Sequence, residues 1–317
     1  MRLFSILQRS AALPDHSSRG DLLLNDFFDN HFYPYIALRK KRPQHDKLSY
    51  DRHVRGAIGN YKLKDIDNAV LDWWLRQHVD KDFQRSTINK HIFFVNRMLN
   101  IARHWRFIED GGKDKVALKR LQVFELKQRF LTEAELAALL GACKRDQHPF
   151  LYLFVKLLAL TGARKGEARF AKWRDIDIAR REWTIPISKN GRARRILLSP
   201  AAIEVLHDVR LQAERLYLPV NSSDYVFINP KTRQHYDSFY AAFHKARARA
   251  GLPEVRIHDL RHSFASFLIN KGATIYEVQK LLGHQHITIT ERYAHLLPST
   301  LYHRLDVVSE AIAGNGI

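Results

Sequence analysis

The stretch IHDLRHSFASFLINKGATIYEVQKLLGHQHITITERYAH, residues 257–295, decides how the rest of the chain reads. Leu260, Phe264, Phe267 and Leu268 recur at helical spacing and mark a buried helix face. His258 and Arg261 stand three apart, so they share one face of the same helix. An arginine beside a buried face is costly unless it meets an anion, and a planar guanidinium can hold two oxygens of one phosphate. Alone, Arg261 reads first as half of a structural ion pair. Thr274–Glu277 and Thr288–Glu291 both show capping-box spacing, so helices are expected to start at each. His284 lies between them, and Tyr293 follows the second cap. An ordinary tyrosine, with a pKa near ~10, is a poor nucleophile at neutral pH. Cations nearby would stabilise its phenolate, and a histidine could accept its proton. Without such neighbours Tyr293 reads as a packing or surface residue.

Working upstream, Arg164 sits in TGARKGE. Gly162 permits a tight turn that could deliver this arginine to the base of a cleft, and Glu167 could orient it. Ordinary charge at a helix N-terminus explains both residues equally well. EWTIPISK and RARRILL flank Asn190-Gly191, a strong signal for a hairpin with a type I′ turn. Lys189 is the last residue before that turn, and Arg192 and Arg194 follow it. HPFLYLFVKLLALTGAR is apolar almost throughout and predicts a helix buried on every side. Thr132 and Glu135 form a capping box that opens the helix before it.

The first third is helical in pattern from about Leu22 to Ile108, with Pro34 expected to bend or break one run. Gly59 is placed to end a helix as its C′ residue. Ser86 or Thr87 is placed to cap the long segment STINKHIFFVNRMLNIARHW. There Ile88, Ile92, Val95 and Leu99 share a face, while Lys90 and Arg97 lie off it, toward phosphates or simply toward solvent. EDGGKDKVALKRLQ, polar and charged, is the best domain boundary.

Composition narrows the class of partner. The 317 residues carry a formal charge of +19, spread over both halves, which points to a polyanion such as nucleic acid. A lone cysteine, Cys143, excludes an internal disulfide and a cysteine metal cage, and reads as a small core residue. No apolar run reaches the ~18 residues of a membrane span, and the N-terminal MRLFSILQRSAAL lacks a long signal core. A cytoplasmic protein working on nucleic acid, with no membrane partner, is expected. His258 and His262, at i and i+4, resemble a zinc-binding pair, but Arg261 would repel the cation and no third ligand follows. No metal and no cofactor is therefore expected.

A tyrosine, two arginines, two histidines and a lysine are the groups needed to break a phosphodiester without a metal. TGARKGE, SKNGRARR, HDLRHSFAS, LLGH and TERYAH, in that order, resemble the tyrosine recombinase family of phage integrases and Xer-type enzymes. The likeness runs from about residue 22 to 300, and TINKHIFFVNRMLNIARHW resembles the last helix of the family's core-binding domain.

The resemblance implies a mostly α fold with a small β-hairpin, arranged as a two-domain, C-shaped DNA clamp. The expected parts are a lead-in over 1–20, a helical, SAM-like core-binding domain over 21–110, a linker over 111–129, an α+β catalytic domain over 130–298 and a tail helix over 299–317. Residues 1–20 leave no room for the arm-type module of many phage integrases, so a simple two-domain recombinase, or a chain lacking that module, is expected.

It also implies roles. Tyr293 would attack the scissile phosphate, Arg164, Arg261 and His284 would hold it, Lys189 would protonate the leaving 5′-oxygen, and His258 would accept the tyrosine's proton. Glu167 supports Arg164, and Lys90, Arg97, Arg192 and Arg194 are candidates for DNA contact. The expected partners are duplex DNA with paired recombination sites, a homotetramer on that DNA, and accessory DNA-bending or directionality factors. Leu301, Leu305, Val308 and Ile312 form an apolar stripe that would dock the tail on a neighbouring subunit or on its own domain. A type IB topoisomerase-like relaxing activity and a catalytically silent DNA-binding regulator are the alternatives.

Overall fold

Aromatic and aliphatic side chains between Leu24 and Leu118 bury one another in a first core, those between Leu131 and Leu260 form a second, and Ala265, Ile269, Val278, Leu282 and Tyr293 form a smaller third cluster. The chain accordingly divides into two units, Met1–Leu126 and Lys127–Ile317. The computed structural model describes residues 20–81, 83–109, 116–123, 129–186, 193–284 and 286–296.

In the first unit α1 (Leu24–Phe27) runs through a π-helical turn, Phe28–Phe32, into α2 (Tyr33–Arg39). Pro34 does not break this run. It falls in the first turn of α2, where a missing N–H is tolerated, and the wider turn before it makes room for the ring. Then come α3 (Gln44–His53), α4 (Arg55–Ile58), α5 (Asn68–Val79) and α6 (Arg85–His104). Neither Ser86 nor Thr87 caps α6. The helix begins earlier, with the Gln84 carbonyl accepting the N–H groups of Thr87 and Ile88. Gly59 keeps a right-handed φ of −64°. Its missing side chain serves instead a close approach, because a Cβ there would strike the Asn25 side chain and the Arg55 carbonyl.

Ile88, Ile92, Val95 and Leu99 are buried, as their spacing demands, against a core that includes Phe28, Phe32, Tyr50 and Trp74. The segment 116–123, expected within a linker, is instead held along α6. Asn96 Nδ2 donates to the Leu118 carbonyl at 2.8 Å, and Asn96 Oδ1 accepts the Leu118 N–H at 3.0 Å. One heptad earlier Asn89 repeats the pair on Leu121, at 2.9 and 2.8 Å. Each amide thus does for one extended residue what a neighbouring strand would do, satisfying its donor and its acceptor together.

The second unit opens with α7 (Glu133–Lys144), whose Thr132–Glu135 capping box is formed as expected. Cys143 is buried on this helix, and burial pushes its thiol up to about 12. α8 (Leu151–Thr161) is the central helix, with Leu151, Leu153, Phe154, Val155, Leu157 and Leu158 all buried. After α9 (Lys165–Arg169) a three-stranded antiparallel sheet follows, of β1 (Ile176–Asp177), β2 (Glu182–Ile185) and β3 (Arg194–Leu197). Trp183 pairs with Ile196 and Ile185 with Arg194, the register of a β2–β3 hairpin; its Asn190-Gly191 turn lies outside the described residues. α10 (Pro200–Arg215), α11 (Tyr240–Arg249), α12 (Asp259–Asn270) and α13 (Ile275–Leu282) complete the framework, with α10 and α12 packed on α8. The described structure is mostly helical with one small sheet. None of its helices is long and apolar enough to cross a membrane.

Replacing Asn96 by Ala strands both polar groups of Leu118, whose side chain is buried in the first core. The expected cost is about 1–3 kcal/mol. Urea unfolding measures it, and faster amide exchange at Leu118 locates it.

Candidate active site

α12 carries Arg261 into the interior, where it is only 4% exposed. The partners that hold it are uncharged: one guanidinium nitrogen donates to the Gly162 carbonyl at 2.5 Å, another to the Leu282 carbonyl at 2.8 Å. Gly162 ends α8 in the left-handed conformation, φ 60°, and a Cβ there would collide with Phe264 and Leu282. That turn aims a carbonyl at Arg261 and starts the chain toward Arg164, two residues on. Arg164 stands at the N-cap of α9, partly exposed, and donates to Glu167 Oε1 at 2.9 Å. Glu167 binds Arg194 as well, at 2.6 Å through Oε2, and Arg194 also donates to the Leu282 carbonyl at 2.8 Å. Gly283, left-handed with φ 63°, leaves the space that the Arg194 side chain fills.

Three guanidinium groups therefore surround one carboxylate. Burial, then repulsion from Arg164 and Arg194, lowers the Arg261 pKa to about 9, so it remains charged at neutral pH. Burial works to raise the Glu167 pKa, but Arg194 and then Arg164 outweigh it and hold the carboxyl below its usual range. Arg194, expected to face DNA, is instead a brace of this site. Its side chain is 10% exposed and occupied by Glu167 and the Leu282 carbonyl.

Tyr293 lies in a tight 3₁₀ turn, Glu291–Leu296, after another at Ile287–Ile289. The helix expected to start at Thr288 does not form. Thr290 takes over, its carbonyl accepting the Tyr293 N–H at 2.9 Å and its hydroxyl bonding His284 Nδ1 at 2.8 Å. The tyrosine is 3% exposed and packs with Ala265, Ile269, Val278 and Leu282. Its hydroxyl is 2.6 Å from His262 Nδ1. His258, expected to take the tyrosine's proton, is not the imidazole at this hydroxyl. It stands one turn earlier, at the N-cap of α12, exposed and edge-on to His262 with 5.0 Å between ring centroids. Desolvation, then the Arg261 charge, lowers the His258 pKa, which favours the neutral ring.

The Phage integrase family matches residues 129–299, more than half of the chain. The chain belongs to that family. It is 27% identical to the integrase of Escherichia phage 186 over 78% of this chain and 70% of that protein. It is 24% identical to a tyrosine recombinase of Thermosipho africanus over 84% and 93%. A lambda integrase dimer bound to a COC′ core site shares the fold, with a TM-score of 0.70, 21% identity, and 86% and 95% of the two chains covered. The Tn1549 transposon integrase in complex with a circular intermediate DNA does so at 0.69 and 16%, covering 86% and 94%. As a tyrosine recombinase of the phage integrase family, the protein is a DNA strand-transferring enzyme of site-specific recombination.

Within this integrase fold the second unit gathers Arg164, Glu167, Arg261, His284 and Tyr293 around α12, α13 and the end of α8. Lys189, Arg192 and the apolar stripe from Leu301 to Ile312 lie outside the described residues. Lys90 and Arg97 belong to the first unit, where with Lys40 and Arg120 they line an open basic cleft on α6. His262, the imidazole at the Tyr293 hydroxyl, was not among the residues given a role from sequence, although its spacing held a signal. It stands one turn from His258 and three residues from Ala265, on the stripe that α12 buries.

Glu167→Gln removes the charge that balances two arginines, one of them buried. An expected loss of about 3–5 kcal/mol follows from unpairing a buried ion pair. The sign with pH is fixed by the lowered pKa. The stabilisation is full above the usual carboxylate range and fades as pH falls through the lower folded value. Urea midpoints from neutral to acid pH should therefore fall less steeply for the variant than for wild type.

Proposed function

We propose that Tyr293 is the nucleophile of a metal-independent strand transfer, with the neutral mounting of Arg261 as the observation that carries the reading. Guanidinium groups satisfied by carbonyls keep their full charge for a ligand, and a phosphodiester supplies the matching anion. The Tyr293 oxygen attacks phosphorus, a 3′-phosphotyrosine forms and the bond to the 5′-oxygen breaks. Arg164, Arg261 and His284 stabilise the charge on the non-bridging oxygens, and Lys189 gives the leaving 5′-oxygen its proton. The 5′-hydroxyl of a second strand then reverses the step. Two such rounds, on paired sites held by a homotetramer, exchange strands through a Holliday junction. The link conserves the energy of the phosphodiester, so no nucleotide is consumed.

His262, rather than His258, receives the tyrosine's proton in this scheme. With Nδ1 unprotonated, the Tyr293 hydroxyl donates to it across 2.6 Å. His258, exposed beside it, is the next station toward solvent. Lys90 and Arg97 contact the DNA backbone from the first unit.

The test is a trap for the covalent complex on random or neighbouring genomic DNA, read on a denaturing gel and by sequencing the attached ends. Wild type should form the adduct, and Tyr293→Phe should bind DNA without forming it. His262→Ala should slow adduct formation about 10²-fold or more, with His258→Ala costing less. Equal losses would return the proton to His258. Absence of a wild-type adduct would favour a DNA-binding regulator, and relaxation of plasmid without joined sites would favour a topoisomerase.

A further inference from the structure

Three histidines meet in the first unit, far in sequence from the residues of the strand transfer. His53 closes α3, His78 lies in the last turn of α5 and His91 in the second turn of α6. One ring nitrogen from each lies within 4.8 Å of the other two. Trp74 and Phe83 wall the group, with ring centroids 4.3 Å from His78 and 5.5 Å from His53.

Packing alone explains stacked rings, but not the polar atoms left over. His78 and His91 are 4% and 9% exposed, yet His78 Nε2 and His91 Nδ1 have no hydrogen-bond partner. Buried nitrogens of this kind call for a ligand. His78 is also set up as a metal ligand would be. Its Nδ1–H donates to the Trp74 carbonyl at 3.0 Å, which leaves the lone pair on Nε2 free and the ring fixed in direction. Desolvation lowers the pKa of all three rings, the direction that favours the neutral, metal-binding form.

We infer that His53, His78 and His91 form a zinc site that ties α3, α5 and α6 together. The donor set selects the metal. Three imidazoles without a carboxylate suit zinc and its late transition-metal neighbours, whereas magnesium and calcium need oxygen. Arg52, Lys81 and Lys90 add positive charge near the rings, so affinity must come from bonding to nitrogen rather than from net charge. Tetrahedral zinc holds its nitrogens about 3.3 Å apart, so modest ring rotations close the site. His53 is half-buried while His78 and His91 are buried, so water would supply the fourth ligand. The role is structural: the site lies in the other unit from Tyr293 and Arg261.

The full chain, stripped with a chelator, is titrated with Co²⁺ and then Zn²⁺. One equivalent of Co²⁺ should bind with the intense visible absorption of a four-coordinate site, and one of Zn²⁺ should bleach it. Zinc should raise the melting temperature by several degrees, and His53→Gln and His91→Gln should each weaken binding at least 10-fold. His207→Gln, in the second unit, should change nothing. X-ray absorption of the wild-type zinc complex should show three imidazole nitrogens at about 2.0 Å; this reading stands even if a variant fails to fold. A six-coordinate cobalt spectrum, fewer than three imidazoles, or wild-type affinity in both variants would overturn the site.

Discussion

The Leu282 carbonyl accepts hydrogen bonds from two arginines, Arg194 from β3 and Arg261 from α12, and the candidate site of the second unit is organised around that shared acceptor. Both guanidinium groups are largely buried, so each needs partners. A carbonyl satisfies a donor without cancelling its charge. Two acidic residues in its place would hold the arginines as firmly and leave nothing for a phosphate. One carboxylate, Glu167, stands among three guanidinium groups, which limits self-repulsion without neutralising the site. The left-handed turns at Gly162 and Gly283 are the backbone's share in this arrangement, because one presents a carbonyl and the other clears the path of Arg194.

Tyr293 depends on the same framework from the other side. α13 ends at Leu282, the chain turns at Gly283, and His284 ties back to Thr290, whose carbonyl in turn fixes the Tyr293 backbone. The tyrosine is thereby delivered by a short series of 3₁₀ turns rather than by a helix. Such turns make fewer and poorer hydrogen bonds than an α-helix. Arg261 is thus carried by an α-helix and Tyr293 by 3₁₀ turns.

Much of this was legible in the chain because it rests on local rules. The capping boxes at Thr132 and Thr274, the buried helix ending at Thr161 and the β2–β3 pairing all follow from spacing within a few residues. What failed rests on contacts between distant residues. Thr288 has the capping spacing, but Thr290 is claimed by His284 and the helix does not start. Arg194 looked like a surface cation in a basic hairpin until the fold brought Glu167 and Leu282 to it. His258 and His262 are indistinguishable by type, and only the tertiary path of the chain decides which one meets the tyrosine. Asn89 and Asn96, seven apart, carried a signal for the segment they hold, but their partners lie more than twenty residues away.

The imbalance of charge beside α12 has a consequence for the protein when no DNA is near. In the proposed reading, small anions would compete with a duplex phosphate for Arg164 and Arg261. With a phosphate bound there as proposed, added salt would oppose binding, and part of the gain would be the entropy of the ions set free. By the same linkage, any small anion that bound there would add to the folding stability of the enzyme without DNA.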